Sequence, residues 1–258
     1  MMIEVQAVSH QFAIGKKGRE RIVPVLHHID MHVKQGEIVA IVGRSGSGKS
    51  TLLNLISGYI RPTIGDIRVG GRTVTKFSEG QWADFRLEHF GFIFQSFQLI
   101  PSMTAFENVE LPLVLKGVGL AQRRKRVNDL LERVGLSDCA GHYPGELSGG
   151  QQQRVSVARA LVLNPPVVLA DEPTGSLDSD NERQLLALIG ELNREQGITF
   201  LMITHDEQVA EVAHRTVLLQ DGRIRPRPHG SGFLSNGIGQ ADSPAVWQAS
   251  LNDEESRR

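Results

Sequence analysis

Gly43-Arg44-Ser45-Gly46-Ser47-Gly48-Lys49-Ser50 is the stretch from which the fold is read. It satisfies the pattern G-x-x-x-x-G-K-[ST]. A β-branched run at residues 38–42 precedes it, and residues 51–56 resume with helical character before Gly58 stops them. Strand, glycine-rich turn and helix, in that order, are the context a phosphate-binding loop needs. Its glycines let the backbone curl so that successive N–H groups face phosphate oxygens, and the helix N-terminus adds a favourable partial charge. The expected nucleotide contacts are therefore Gly43, Arg44, Ser45, Gly46, Ser47 and Gly48, continuing into the helix at Thr51. Lys49 would reach the β- and γ-phosphates. Ser50 would give its hydroxyl to Mg²⁺, an ion otherwise held mainly by phosphates and water.

A second apolar run, residues 167–170, ends on Asp171 and Glu172. Open α/β sheets place ligands at the carboxyl ends of such strands. Asp171 is expected to bind the magnesium, directly or through water, and Glu172 to polarise a water beside the γ-phosphate as a general base. Taken alone, two acids before Pro173 also read as a helix N-cap.

Working outward, residues 3–8 and 26–33 alternate apolar with polar residues and predict two strands of a half-exposed sheet, separated by a basic, glycine-containing loop. A short strand is expected at 66–69 and an amphipathic helix at 121–135. Ser148 is a good N-cap for a helix running to Leu163, where Asn164-Pro165-Pro166 ends it. Helical spacing at 185–192, buried strands at 199–203 and 217–219, and a turn at Asp221-Gly222 complete an alternation that implies a largely parallel sheet. The Gly-, Pro- and Ser-rich segment 226–258 reads as a flexible tail with a weak helical hint over 245–251.

Composition narrows the function classes. The 258 residues carry 28 basic and 29 acidic side chains, a formal net charge of −1, so no global field draws nucleic acid or an anionic membrane. Cys139 is the single cysteine, which excludes an intrachain disulfide and a soft-ligand zinc cluster. A cytosolic compartment fits best. No signal peptide and no bilayer-spanning run are expected, so contact with a membrane would need a partner.

Leu147-Ser148-Gly149-Gly150-Gln151, continued by Gln152-Gln153-Arg154, resembles the signature motif of the ABC ATPase family. A serine and two glycines opening a helix form a further anion site. The resemblance covers residues 1 to about 225. It implies an α/β P-loop NTPase (RecA-like) core with an antiparallel β subdomain and an inserted helical subdomain at about 96–160. It also implies an ATP-sandwich homodimer, in which Ser148, Gly149, Gly150 and Gln151 contact ATP held by the other subunit's phosphate loop. In the same order Gln95 resembles the Q-loop glutamine, Ser176 to Asp178 the D-loop, and His205 the switch histidine. These imply roles for Gln95 in the magnesium shell, for Asp178 at the nucleotide, and for His205 in holding the γ-phosphate and orienting Glu172. Phe12 resembles the aromatic that stacks on adenine; a buried phenylalanine is the other reading.

Gly91 to Gln95 with Phe97, Leu99, Thr104, Glu107, Asn108, Val109, Leu111 and Pro112 is similar to ATPases of the lipoprotein-release, macrolide-export and antimicrobial-peptide-resistance group. That likeness implies integral membrane permease subunits as partners and a peripheral place on the inner face of the cell membrane. It also implies that exposed Phe97, Leu99 and Ile100 help form the groove for a permease helix; ordinary subdomain core is the alternative. The runs Lys16 to Arg21 and Arg123 to Arg126 read as solvated surface. A non-transport ABC ATPase, in a mechanotransmission or nucleic-acid-associated complex, would keep the chemistry. The chain has no long heptad arm, no second cassette and no basic excess to suggest one. A nucleotide kinase is disfavoured by the signature pentapeptide.

Overall fold

The computed structural model describes residues 1–16 and 18–226. Apart from Pro226, the expected tail and its helical hint lie outside the described residues. The first half of the chain runs through β1 (Ile3–Ile14), β2 (Arg21–Val33), β3 (Ile38–Val42), α1 (Lys49–Ile56), β4 (Ile64–Val69), β5 (Arg72–Thr73), α2 (Glu79–His89), β6 (Phe90–Phe94) and α3 (Ala105–Leu115). The second half adds α4 (Leu120–Arg133), α5 (Gly149–Leu161), β7 (Val167–Asp171), α6 (Ser179–Gln196), β8 (Thr199–Thr204), α7 (Glu207–Glu211), β9 (Arg215–Gln220) and β10 (Arg223–Arg225).

These form two sheets. One is antiparallel, in the order β2-β1-β4-β5. The other has the order β10-β9-β3-β8-β7-β6 and is parallel except for its β10–β9 hairpin. Strands β7 and β8 are apolar along almost their whole length because both faces are covered. Val167, Leu169, Leu201 and Ile203 point into a core shared with α1 and the antiparallel sheet. Val168, Ala170, Phe200 and Met202 point the other way, onto Leu185, Ile189 and Leu192 of α6. Burying a side chain such as fully enclosed Phe200 contributes about 1.5–3 kcal/mol, so truncation there would loosen the sheet that carries the site. A third core joins Val109 and Leu113 of α3, Val127 and Leu131 of α4, and Val155 and Ala158 of α5, making a helical subdomain.

The alternation predicted from sequence holds, with physical reasons for the departures. The β1–β2 hairpin runs past residue 8 and starts before residue 26, taking in most of the expected loop. Its outer half is exposed on both faces, so no apolar alternation marks it. Helix α2 buries only Trp82 and Phe85, and in α3 the buried face of Ala105, Asn108, Val109 and Leu113 is masked in the sequence by further apolar residues and by Pro112, so neither stands out as helical. Capping boxes fix their starts, Ser78 with Gln81 and Thr104 with Glu107. Phe97, Leu99 and Ile100 are half-buried rather than exposed, and Leu99 packs onto the helical-subdomain core. Arg123 likewise leaves the expected solvated run. Its Nε donates to Glu110 at 2.8 Å and its Nη1 to the Val118 carbonyl at 2.9 Å.

Candidate functional site

At the carboxyl end of β3 the chain turns through Gly43 to Gly48 and enters α1 with no side-chain cap. Gly48 sits at φ 103°, a left-handed conformation, with Leu26 so close that a Cβ would lie 2.7 Å from its Cδ2. The orphan N–H groups of this helix start therefore remain unused by side chains. Lys49 is buried, and its ammonium donates to the carbonyls of Gly43 at 2.8 Å and Arg44 at 3.3 Å. Ser47 is buried too, and its Oγ has no hydrogen-bond partner among the described residues.

A cavity of about 680 Å³ opens over this turn. Arg44, Ser45, Gly46, Gly48, Lys49, Ser50 and Thr51 line one side, and Gln95, Glu172 and His205 converge from the ends of β6, β7 and β8. Gly43 and Ser47 lie in the turn beneath. Val25 of β2 also lines it. No motif announces Val25; it arrives because β2 passes beside the turn, where a Cβ on Gly48 would lie 3.4 Å from the Val25 carbonyl oxygen.

Glu172 is held at φ 48°, a left-handed conformation that costs a non-glycine residue about 1–3 kcal/mol. Its N–H donates to the Ile203 carbonyl at 2.9 Å, and its own carbonyl accepts from Gly175 at 3.1 Å. The strained turn brings Oε2 to 2.9 Å from His205 Nδ1 and 3.3 Å from the His205 N–H. Beside it, burial pushes the Asp171 carboxyl above its ordinary pKa, the charge of Glu172 adds to the rise, and Lys49 opposes it. Two sequence-adjacent acids, both half-buried, favour a cation between themselves and a phosphate. Gln95 Nε2 reaches toward the Gly175 carbonyl at 3.5 Å.

Phe12 stands on the hairpin, 38% exposed, so the buried reading does not hold. Its ring meets buried His10 edge-on, centroids 4.6 Å apart at 84°. It pairs with Val23, two residues before cavity-lining Val25, but does not itself line the cavity.

Ser148, Gly149, Gly150 and Gln151 are not among the cavity-lining residues. Ser148 caps α5 as expected: Gln151 N–H donates to its Oγ at 3.3 Å, and Ser148 N–H donates to Gln151 Oε1 at 2.8 Å. Asp178 caps α6, accepting from the Asn181 N–H at 2.9 Å. Gly149 approaches Ser176, and Gly150 packs under Asn181, so the signature and the D-loop adjoin each other. Gln153 Nε2 also donates to the Pro173 carbonyl, joining α5 to the turn after Glu172.

A lysine-bearing loop at a helix start, facing paired acids across the carboxyl ends of parallel strands, defines a P-loop nucleoside triphosphatase. The ABC transporter family profile matches residues 26–175. The chain belongs to that family, and is an ATP-binding, ATP-hydrolysing cassette. It is 63% identical over 224 residues to the ABC transporter ATP-binding protein YtrE of Bacillus subtilis (strain 168), spanning 87% of this chain and 97% of that one. It is 49% identical over 223 residues to the macrolide export ATP-binding/permease protein MacB 1/2 of Paracoccus denitrificans (strain Pd 1222), spanning 86% of this chain but 33% of that longer protein. Among solved structures it is similar to the ATP-binding cassette MJ0796 in a dimeric post-hydrolysis state bound to ADP and Pi. That match has a TM-score of 0.81 and 39% identity, covering 90% of this chain and 100% of that one. Among the described residues no helix is long and apolar enough to cross a membrane.

Proposed function

We propose that this chain powers a separate membrane permease of the lipoprotein-release or macrolide-export type by dimerising head to tail around ATP. One observation carries the reading. The signature segment opens a capped helix whose first residues, Ser148 and Gly149, are exposed, yet it lies outside the cavity formed by its own phosphate loop. A second copy would bring it to the nucleotide. The dimeric form of MJ0796, 40% identical with a TM-score of 0.81, supports that arrangement.

In this reading Lys49 and the backbone of residues 43–51 bind the phosphates, while the partner copy adds Ser148, Gly149, Gly150, Gln151 and Asp178. Among the described residues no cluster of three His, Cys, Asp or Glu side chains could hold a metal unaided. Ser50 and Asp171, with Gln95, would therefore share Mg²⁺ with the phosphates, and the ion would neutralise phosphate charge. Glu172 accepts the proton of the attacking water, and His205, already 2.9 Å from its carboxylate, orients it and holds the γ-phosphate. Loss of that phosphate removes attraction across the interface, and the dimer reopens. A groove of about 410 Å³ lined by Tyr59, Arg86, Phe92, Gln98, Pro112 and Arg159 is the proposed seat of the permease helix. Arg159 Nη1 and Nη2 donate to the carbonyls of Gln98 and Phe97 at 2.6 and 2.9 Å, so the segment after Gln95 is tied to the signature helix α5. Motion at the nucleotide would reach the groove along that link.

The test is sedimentation of the Glu172→Gln protein with ATP and Mg²⁺, with and without its membrane partner. A dimer that forms with ATP and dissociates with ADP is expected; a monomer under every condition overturns the reading.

A further inference from the structure

Gly150 and Asn181 come from separate elements, α5 and α6, and meet closely. A Cβ on Gly150 would lie 2.0 Å from Asn181 Oδ1 and 2.3 Å from its Cγ. That contact requires glycine within the single subunit, before any partner is considered. The Asn181 amide is fully engaged. Its Nδ2 donates to both carboxylate oxygens of Asp178, at 3.0 and 2.9 Å, and its backbone N–H donates to Asp178 Oδ1 at 2.9 Å. On the other side Arg154 Nη1 reaches Asn181 Oδ1 at 3.4 Å and Gln184 Oε1 at 3.1 Å. A carboxylate on one side and a guanidinium on the other fix which way the amide points. These bonds also hold the Asp178 carboxyl below its ordinary range, the Asn181 backbone N–H first and its side chain second.

We propose that Asn181 is a positioning residue, locking the signature helix to the D-loop so that both are presented to the partner's nucleotide as one unit. The inference rests on the head-to-tail reading. Asn181 touches neither the cavity nor any reacting group of its own subunit. It acts through Gly150 and Asp178, and its contribution is to fix their separation before the dimer closes. Presenting two contacts already in register lowers the ordering cost of closure. ATP binding by a lone subunit, which uses the phosphate loop, is untouched.

The experiment uses the full chain in the Glu172→Gln background, with ATP and Mg²⁺. Sedimentation gives the dimer dissociation constant, a fluorescent ATP analogue gives the affinity of the monomer, and a melting curve confirms that each variant folds. Asn181→Ala and Asn181→Asp should each weaken the dimer about tenfold, the first by removing the lock and the second by setting two carboxylates against each other, with monomer affinity within about twofold. Gly150→Ala alone should weaken it about tenfold or more, because the added methyl drives α5 from α6. In the Gly150→Ala/Asn181→Ala double variant the methyl gains room, so the dimer should be no weaker than with Asn181→Ala alone. A double variant as weak as the product of the two single effects overturns the inference, as does an Asn181→Asp dimer equal to the parent. A parent that never dimerises, even with its membrane partner, instead overturns the two-subunit reading on which it stands.

Discussion

At the amino ends of the parallel strands, polar groups close on one another. Ile38 N–H donates to His214 Nδ1 at 2.9 Å, and Asn193 Nδ2 donates to the carbonyls of Gly36 and Ile198 at 2.9 and 2.8 Å. Arg215 Nε donates to Glu37 at 2.6 Å. The carboxyl ends are built differently. Glu172 is held in a left-handed conformation, Ser47 Oγ is buried without a partner among the described residues, and Asp171 is a half-buried acid beside another acid. Each of these features costs free energy in the isolated subunit, and each faces or underlies the nucleotide cavity. One end of the sheet is arranged for stability, and the other stores strain and unused hydrogen-bonding capacity that a ligand can use.

Substitutions at the two ends should then move different observables. The largest effect is expected for Glu172→Gln, which should lower turnover by about 10²- to 10⁴-fold while ATP is still bound. Steady-state hydrolysis set beside nucleotide affinity would show the split; unchanged turnover would remove Glu172 as the base. At the opposite end, Asn193→Ala should leave the buried Ile198 carbonyl and the part-buried Gly36 carbonyl short of a donor and cost about 1–3 kcal/mol. Thermal melting should show the loss, with hydrolysis per folded molecule unchanged. A fall in specific activity without loss of stability would erase the proposed division between the ends.

Glu37 sharpens the same contrast through pH. Burial alone would raise its carboxyl, but the Arg215 hydrogen bond, the Lys34 N–H and the Arg215 charge outweigh it and hold the pKa low. A depressed folded-state pKa contributes stability above the unfolded value of about 4.3, and that stability is lost as pH falls through the folded value. Because the pair is partly open to solvent, its contribution is about 1 kcal/mol. The melting temperature of Glu37→Gln should therefore lie below that of the unaltered protein at pH 7, and the gap should close as the pH falls below about 4. A gap that stays constant with pH would mean that the ion pair is not its source.

Legibility in the sequence followed how contiguous each feature's chemistry is along the chain. The phosphate loop and the Asp171-Glu172 pair were legible because their chemistry is contiguous: strand, turn and ligand groups lie within a dozen residues, and the side-chain types announce the role. Ser148 was legible as a cap for the same reason. Val25 and Asn181 were not, because each matters only through residues far away in the chain, the first beside Gly48 and the second against Gly150. Helix α2 escaped because it buries only Trp82 and Phe85, and α3 because Phe106, Leu111, Pro112, Val114 and Leu115 spread apolar character around the face formed by buried Ala105, Val109 and Leu113, so packing and capping boxes decide them. The outer β1–β2 hairpin escaped because exposed strands need no alternation.

Phe12 lies on that hairpin, and a predicted effect of similarly small size concerns it. Its ring is exposed on one side and braced edge-on by His10, which burial holds toward the neutral form. A ring fixed in this way can offer a face to a purine without first being ordered. The proposed stacking would add about 0.5–1.5 kcal/mol, so Phe12→Ala should weaken ATP binding roughly two- to tenfold. Phe12→Tyr, which keeps the ring, should leave it within about twofold. Inorganic tripolyphosphate supplies the control. It engages the carboxyl end of the sheet but carries no base, so Phe12→Ala should not change its binding. Equal losses for ATP and tripolyphosphate would show that Phe12 acts by shaping the phosphate loop through β2, and would make the hairpin part of the strained end rather than a separate platform beside it.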